Sequence, residues 1–412
     1  MHRLENPVRD YAWGSRTHIP RLLGIPPDGR PWAELWLGSH PSAPSHLDDG
    51  SSLLDEILAD PAGMLGDKVR TDFDTRLPFL MKLLAAGEPL SLQVHPTSDR
   101  ARIRCAEQEA AGLPHDAPER SYPDASHKPE LVYALTRFEG MAGFRDATRT
   151  AAILRGFHLP WLDEIAYRIE TTDTPFQTLR AVVTDLLGID RRLLHERLQD
   201  LRAAAVDAEA RAHAAHAGRR QRGGSVDPTA LERESVRVYA ATTPLVECYP
   251  DDPGVLVTLL LNHVVLAAGE AMFIDAGVIH AYTSGFGVEI MAASDNVLRA
   301  GLTRKHVDIP ELLEVTNFTP TPPPQWAPSH PAAGVTVFSP PVDEFELVVV
   351  EVTGSSQLPT RPQIVLCLEG QVHVRSHDGE VLLTSGQAAF VRGTETSVQL
   401  DGRARVVVGR TP

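Results

Sequence analysis

LPFLMKLLAAGEPLSLQVHP (residues 77–96) is the stretch whose reading decides the fold class. An apolar run at 80–84 is followed by Ala86-Gly87-Glu88 and then by a second run at 90–95. Each run is too short for a typical helix, and a Gly turn divides them, so both read as buried strands. Pro96 ends the second run and biases His95 toward an extended backbone. Side chains two apart on a strand share a face, so Gln93 and His95 can converge on one point. Alone, a strand histidine is more often a hydrogen-bonded structural residue than a ligand.

Working outward, residues 1–145 are rich in Pro and Gly with short apolar runs, the texture of strands joined by turns. The texture changes over 146–244. After Thr174-Pro175, a helix start, Phe176, Leu179, Val183, Leu186 and Leu187 recur at helical spacing until Gly188. Leu193, Leu194, Leu198 and Leu201 continue that period into an Ala-rich run ending near Gly218. The cationic run at 219–224 reads as a solvated linker in preference to a phosphate-binding loop. This region is expected to be a helical insertion.

Strand texture returns at about 245, in VLVTLLLNHVVLAAGEAMFIDAGVIHAY (255–282). A Pro-rich stretch at 319–334 is expected to be a linker, and 335–412 a last all-β block. LAAGEAMFI (266–274) resembles LTSGQAAFV (383–391), a weak repeat suggesting two related β modules. The first copy continues to His280, where the second has Ser397, so the second copy is expected to be structural.

The 412 residues exceed what one core usually serves, so two or three domains are expected. With 54 acidic and 39 basic side chains the net charge is −15, which argues against a coat for nucleic acid or an anionic membrane. The longest strongly apolar stretch, 255–261, falls far short of a bilayer span. The N-terminal MHRLENPVRDYAWG has no apolar signal core. Cys105, Cys248 and Cys367 are widely separated, as suits reduced thiols in a cytoplasmic protein.

Two further clusters carry chemistry. In His127-Lys128-Pro129-Glu130 the carboxylate leads into the apolar run at 131–135, where burial demands a partner and a metal would supply one. A solvated HKPE turn is the plain alternative. GVIHAY (277–282) brings His280 in on a turn, and a returning strand and the cationic NVLRAGLTRK (296–305) follow. Together Gln93, His95, Glu130 and His280 offer two imidazoles, a carboxylate and an amide oxygen. That set suits a borderline divalent ion, Zn²⁺ first, with room for water or a substrate hydroxyl.

These stretches resemble the type I mannose-6-phosphate isomerases (phosphomannose isomerases) of the cupin superfamily. The resemblance rests on YAWGS (11–15), AELWLGSHPSAPS (33–45), residues 77–96, HKPELVYAL (127–135) and the long run GVIHAYTSGFGVEIMAASDNVLRAGLTRKHVD (277–308). It implies a mainly β fold with two cupin-type jelly-roll barrels and an α-helical domain. The catalytic barrel would comprise 1–145 with 245–318, the helical insertion 146–244, and a barrel without metal ligands 335–412. It also implies one zinc per chain on Gln93, His95, Glu130 and His280, with Arg299 in the active site. Where the family usually shows Pro before the Lys of its GLTxK segment, this chain has Arg304.

The implied reaction interconverts mannose 6-phosphate and fructose 6-phosphate through a cis-enediol, supplying mannose and GDP-mannose metabolism. Arg299 would stabilise the developing oxyanion or help open the ring. Glu289 and His127 are candidate proton carriers, and Lys128 a further catalytic candidate. Ser91, Lys128, Lys305 and Arg304 are the candidate phosphate ligands. The expected partner is a small sugar phosphate, with no nucleic acid, no membrane and a monomeric chain. A cupin Fe(II) dioxygenase would use two histidines and a carboxylate but not Gln93 or the cationic segment. A non-catalytic sugar-binding cupin is the other alternative.

Overall fold

The computed structural model describes residues 1–221, 229–377 and 379–412. It is 32% helix and 31% strand, so the chain is mixed in content and not mainly β as its sequence texture suggests. Both large sheets are antiparallel, and among the described residues neither closes into the barrel that the sequence led us to expect.

The first sheet, of eleven strands, carries the chemistry. Its main path runs Gln325–Trp326, Ala271–Ile274, Glu130–Ala134, His280–Ala292, Phe79–Ala86, Glu34–Leu37 and Val8–Arg9. The His280–Ala292 strand organises it. Residues 285–292 pair with Phe79–Ala86. Residues 280–284 pair with Phe138–Phe144 and meet Gln93 of the Leu92–Val94 strand. The register shifts between Tyr282 and Ser284 at this change of partner, and Gly285 follows at φ 123°. A Cβ there would sit 2.7 Å from Phe138 Cα, so no other residue fits without displacing the neighbouring strand.

The second sheet, of eight strands, has its centre in Glu346–Leu358, Gln363–Ser376 and Val398–Arg410. The N-terminal His2–Leu4 strand joins its edge by pairing with Ala388–Val391. Phe79, Met81 and Ile290 of the first sheet share one buried cluster with Ile364, Phe390 and Val407 of the second. The Pro-rich stretch lies against both sheets: Gln325 pairs with Met272, and Ser329 with Val337. The repeated motif takes one form twice, a strand, a Gly turn (Gly269, Gly386) and a second strand (Ala271–Ile274, Ala388–Val391).

Helices occupy most of the middle of the chain. Pro175–Leu187 starts on its proline and ends at Gly188, and Arg191–Gln221 follows. The cationic run at 219–224 lies outside the described residues, apart from the backbone of 219–221. Ala230–Cys248 opens with a capping box between Thr229 and Glu232.

Two expectations fail locally. The 1–145 region holds the helices Leu53–Ala59, Pro61–Phe73 and Ser98–Ala110 besides its strands. The first is short and Gly66 breaks the second, so neither gives a sustained period. Gly254–Thr258 is a buried helical turn although its residues are β-branched and apolar. A short run buried on every side has no periodicity to read.

Candidate metal centre and active site

Three backbone features bring the candidate ligands together. Gly277, at φ 79°, turns the chain into the His280 strand, and its N–H donates to His95 O (2.9 Å). Gln93 lies opposite His280 on one side and opposite Arg299 on the other. Glu130 lies opposite Met291 at the far end of the same central strand.

The side chains converge in the interior. His95 and His280 are fully buried and Glu130 is 1% exposed. His95 Nε2 is 3.3 Å from Glu130 Oε1, and His280 Nε2 is 3.4 Å from Glu130 Oε2. Each ring's other nitrogen is committed to a backbone carbonyl: His95 Nδ1 to Asn296 O (2.8 Å), His280 Nδ1 to Val278 O (2.9 Å). A neutral imidazole that donates from Nδ1 presents a lone pair at Nε2. Burial pushes His95 down to about 4, with the Lys128 charge adding to it, so the ring is neutral near pH 7. Glu130 is held well below the usual carboxylate range by Lys128 and His95 against its burial. His95 Nε2 and Glu130 Oε2 are buried with no hydrogen-bond partner. Ligand atoms of His95, Glu130 and His280 lie within 4.8 Å of one another, and buried lone pairs gathered without a proton between them are what a cation would satisfy, so the donor set fits a metal ion. Gln93 Nε2 lies 3.4 Å from His280 Nε2, and rotating that amide offers a neutral oxygen in its place.

Asn296 holds the loop that orients His95. Its fully buried amide donates to Asp124 O (2.8 Å) and Ser126 O (2.6 Å), tying the approach to the HKPE segment to the carbonyl that receives His95.

Around this cluster the structure separates the other candidates. Lys128 Nζ is 2.6 Å from Glu130 Oε1. His127 does not face the cluster through a protein contact. Its Nε2 is 2.6 Å from Glu344 Oε1, in the C-terminal half of the chain, and that hydrogen bond raises its pKa. Glu289 pairs with Lys82 (3.1 Å), which also lies 3.6 Å from Glu34. Burial pushes Glu289 up. Burial also opposes the Lys82 charge, but its carboxylate partners outweigh that and hold it well above the ordinary lysine value. Arg299 has no hydrogen-bond or ion-pair partner among the described residues, and burial lowers its pKa. Lys305 is lowered by partial burial and by the Arg299 charge, which places the two cations near each other. Ser91 is half-buried just before the Gln93 strand. Arg304 lines a different cavity with Tyr249, Asp251 and Asp252, which none of the metal-cluster residues lines.

Sequence reasoning passed over Lys82, Glu34, Glu344 and the His40–Asp295 pair (3.2 Å). Lys82 left a signal. A charge centred in FLMKLLAA must be paired if that run is a buried strand. Glu344 left none, because only the fold brings it to His127.

Buried imidazoles and a carboxylate at the meeting of strands, with lysine and arginine close by, define a metal-binding enzyme centre for a small anionic substrate. Residues 1–147 match the family described as phosphomannose isomerase type I, catalytic domain. The chain is 36% identical to the mannose-6-phosphate isomerase of Salmonella typhimurium over 98% of both chains. It is 32% identical to that of Homo sapiens, over 84% of this chain and 81% of the human one. The chain belongs to the mannose-6-phosphate isomerase family, whose members are isomerases.

Solved structures agree. A mannose 6-phosphate isomerase bound with zinc and yttrium superimposes with TM-score 0.84 at 35% identity, over 100% of this chain and 99% of the other. The Salmonella typhimurium enzyme bound to its substrate, fructose 6-phosphate, and to zinc gives TM-score 0.85 at 35% identity and the same coverage. Among the described residues no helix is long and apolar enough to cross a membrane.

Proposed function

We propose that this chain interconverts mannose 6-phosphate and fructose 6-phosphate at one zinc ion held by Gln93, His95, Glu130 and His280. The carrying observation is the pair of histidines, each committed at Nδ1 to a backbone carbonyl and each presenting Nε2 to a buried carboxylate. The names and bound ligands of the relatives support the substrate and the metal. When bound, zinc supplies Lewis acidity toward the sugar oxygens.

The remaining work falls to the protein. A proton leaves C2 of the open-chain aldose and one is returned at C1, passing through a cis-enediol. His127 is our preferred proton carrier, because Glu344 favours its protonated form and so stabilises the acid it becomes on accepting a proton. Glu289, raised by burial, is the second candidate. Arg299, whose charge no group among the described residues neutralises, stabilises the developing oxyanion. Lys128 orients the ligand carboxylate and contributes charge toward the substrate. Ser91 and Lys305 hold the phosphate. Arg304, in its separate cavity, is the weakest of the phosphate candidates.

The domain division of the sequence reading fits this proposal: a metal-bearing unit of 1–145 with 245–318, the insertion 146–244, the linker 319–334 and a ligand-free unit 335–412. The cupin jelly-roll relation of the two β units is supported by their repeated strand–turn–strand motif. The chain would act as a monomer on a small metabolite in the cytoplasm, independent of nucleic acid and membranes, supplying GDP-mannose synthesis. Its three cysteines are free thiols, as a reducing compartment requires.

The test is an isomerase assay on metal-loaded protein in deuterated solvent. Deuterium entering the product at C1, loss of turnover on chelation and rescue by zinc support the proposal. Turnover insensitive to chelation removes the metal's role.

A further inference from the structure

Away from the metal, the helical region and a turn of the first sheet border an open cavity of about 560 Å³. That volume is within the range of small-molecule sites. Among the described residues Arg137, Arg211, Arg233 and Arg237 line it with one carboxylate, Glu232, and Arg233 and Glu232 both have partners of their own. In a chain of net charge −15 this is a local reversal of sign.

The arginines are unequally compensated. Arg137 is paired with Glu139 (2.7 Å). The Glu232 carboxylate is engaged in capping its own helix, accepting from Thr229 N (2.9 Å). Arg211 reaches only a backbone carbonyl, Gly156 O (2.8 Å), and Arg237 only His263 O (3.2 Å). Neither forms an ion pair among the described residues, and Arg237 Nε is buried with no hydrogen-bond partner. The nearest buried carboxylate, Glu234, is already claimed by Arg145 (2.9 Å) and Arg149. Burial lowers the pKa of Arg237 against the opposing Glu234 and Glu139 charges, and the Arg137 and Arg233 charges add to the burial. Ala208, Ala212, Val236 and Tyr239 add apolar lining to the cavity.

We infer that this cavity is a second ligand site, built for an organic anion that carries a phosphate and an apolar ring or chain. Planar guanidiniums match phosphate oxygens in pairs, and the apolar lining takes the remainder of the ligand. None of the residues that line it belongs to the metal centre, so occupancy is independent of the isomerase reading.

The test uses AMP as the probe and inorganic phosphate as the comparator. Both are titrated calorimetrically into the metal-loaded full chain with mannose 6-phosphate saturating the isomerase site. AMP is expected to bind tighter than phosphate by about tenfold or more, through its apolar portion. Arg211→Gln and Arg237→Gln should each weaken AMP about tenfold, the value of one charge-assisted hydrogen bond. Isomerase kcat and KM should be unchanged in both. Arg237 is partly buried, so Arg211→Gln, at an exposed position, keeps the test valid if Arg237→Gln fails to fold. Affinity unchanged in the variants, AMP no tighter than phosphate, or no saturable AMP binding at millimolar concentration would each overturn the inference.

Discussion

His280–Ala292 and Val398–Arg410 are both thirteen-residue strands, each reached by the same strand, Gly turn and strand, and they bury different polar groups. The first carries His280 and Glu289 in the interior and packs beside Lys82 and Glu130. The second buries Val398, Leu400, Val406, Val407 and Val408. Where the first chain path meets a metal ligand, the second has Ser397. The same motif thus leads once into a cluster of buried charges and once into a run of valines with a single buried ion pair, Arg410–Glu346, at its end. Burying an ion costs several kcal/mol, and well-packed apolar replacements are often as stable or more so. The polar interior of the first sheet is therefore retained for chemistry, and the apolar interior of the second for stability.

That division can be broken by substitutions on either side. The largest effect should follow loss of a ligand. Glu130→Gln should lower zinc affinity and kcat by more than the roughly 10–100-fold typical of groups that merely orient a ligand. The check is equilibrium dialysis together with steady-state kinetics, and near-normal zinc binding would contradict the ligand assignment. On the other side, Phe390→Ala should cost about 3–5 kcal/mol of stability with kcat of the folded protein unchanged. Urea unfolding beside an activity titration reads both, and a lowered kcat with intact stability would reverse the comparison.

Next, Asn296→Ala should weaken zinc about 10–100-fold by releasing the loop that receives His95 Nδ1. A Tm lowered with zinc affinity untouched would make Asn296 a structural residue only. The smallest effect crosses between the two regions. Glu344 raises the His127 pKa, so the pair's stabilisation is complete below the unfolded histidine value and is lost as pH rises through the folded one. Glu344→Gln should move the His127 NMR titration to lower pH and pull the acid limb of the rate profile the same way. An unmoved midpoint would detach Glu344 from the site.

Much of the centre was legible because metal ligation leaves local marks. Gln93 and His95 share a strand face, Pro96 stops the strand, and Glu130 opens an apolar run where a bare carboxylate does not belong. The helix from Pro175 to Gly188 was legible from its period and its punctuation. Other parts were not. Phe79–Ala86 reads as a plain buried strand until Glu34 and Glu289 are seen flanking Lys82 from separate strands. Glu344 lies more than two hundred residues from His127, and pattern has no reach over that distance. Open sheets in place of barrels, and helices among the N-terminal strands, depend on packing between distant segments that local texture does not encode.

The central claim is that zinc on the His95, Glu130 and His280 cluster makes the strand from His280 catalytic. Its most direct test is solvent-deuterium exchange at C2 of mannose 6-phosphate, followed by NMR, on protein with measured zinc content. The account predicts exchange in proportion to zinc up to one ion per chain, abolished by chelation or by His280→Ala. Undiminished exchange in metal-stripped protein would contradict it.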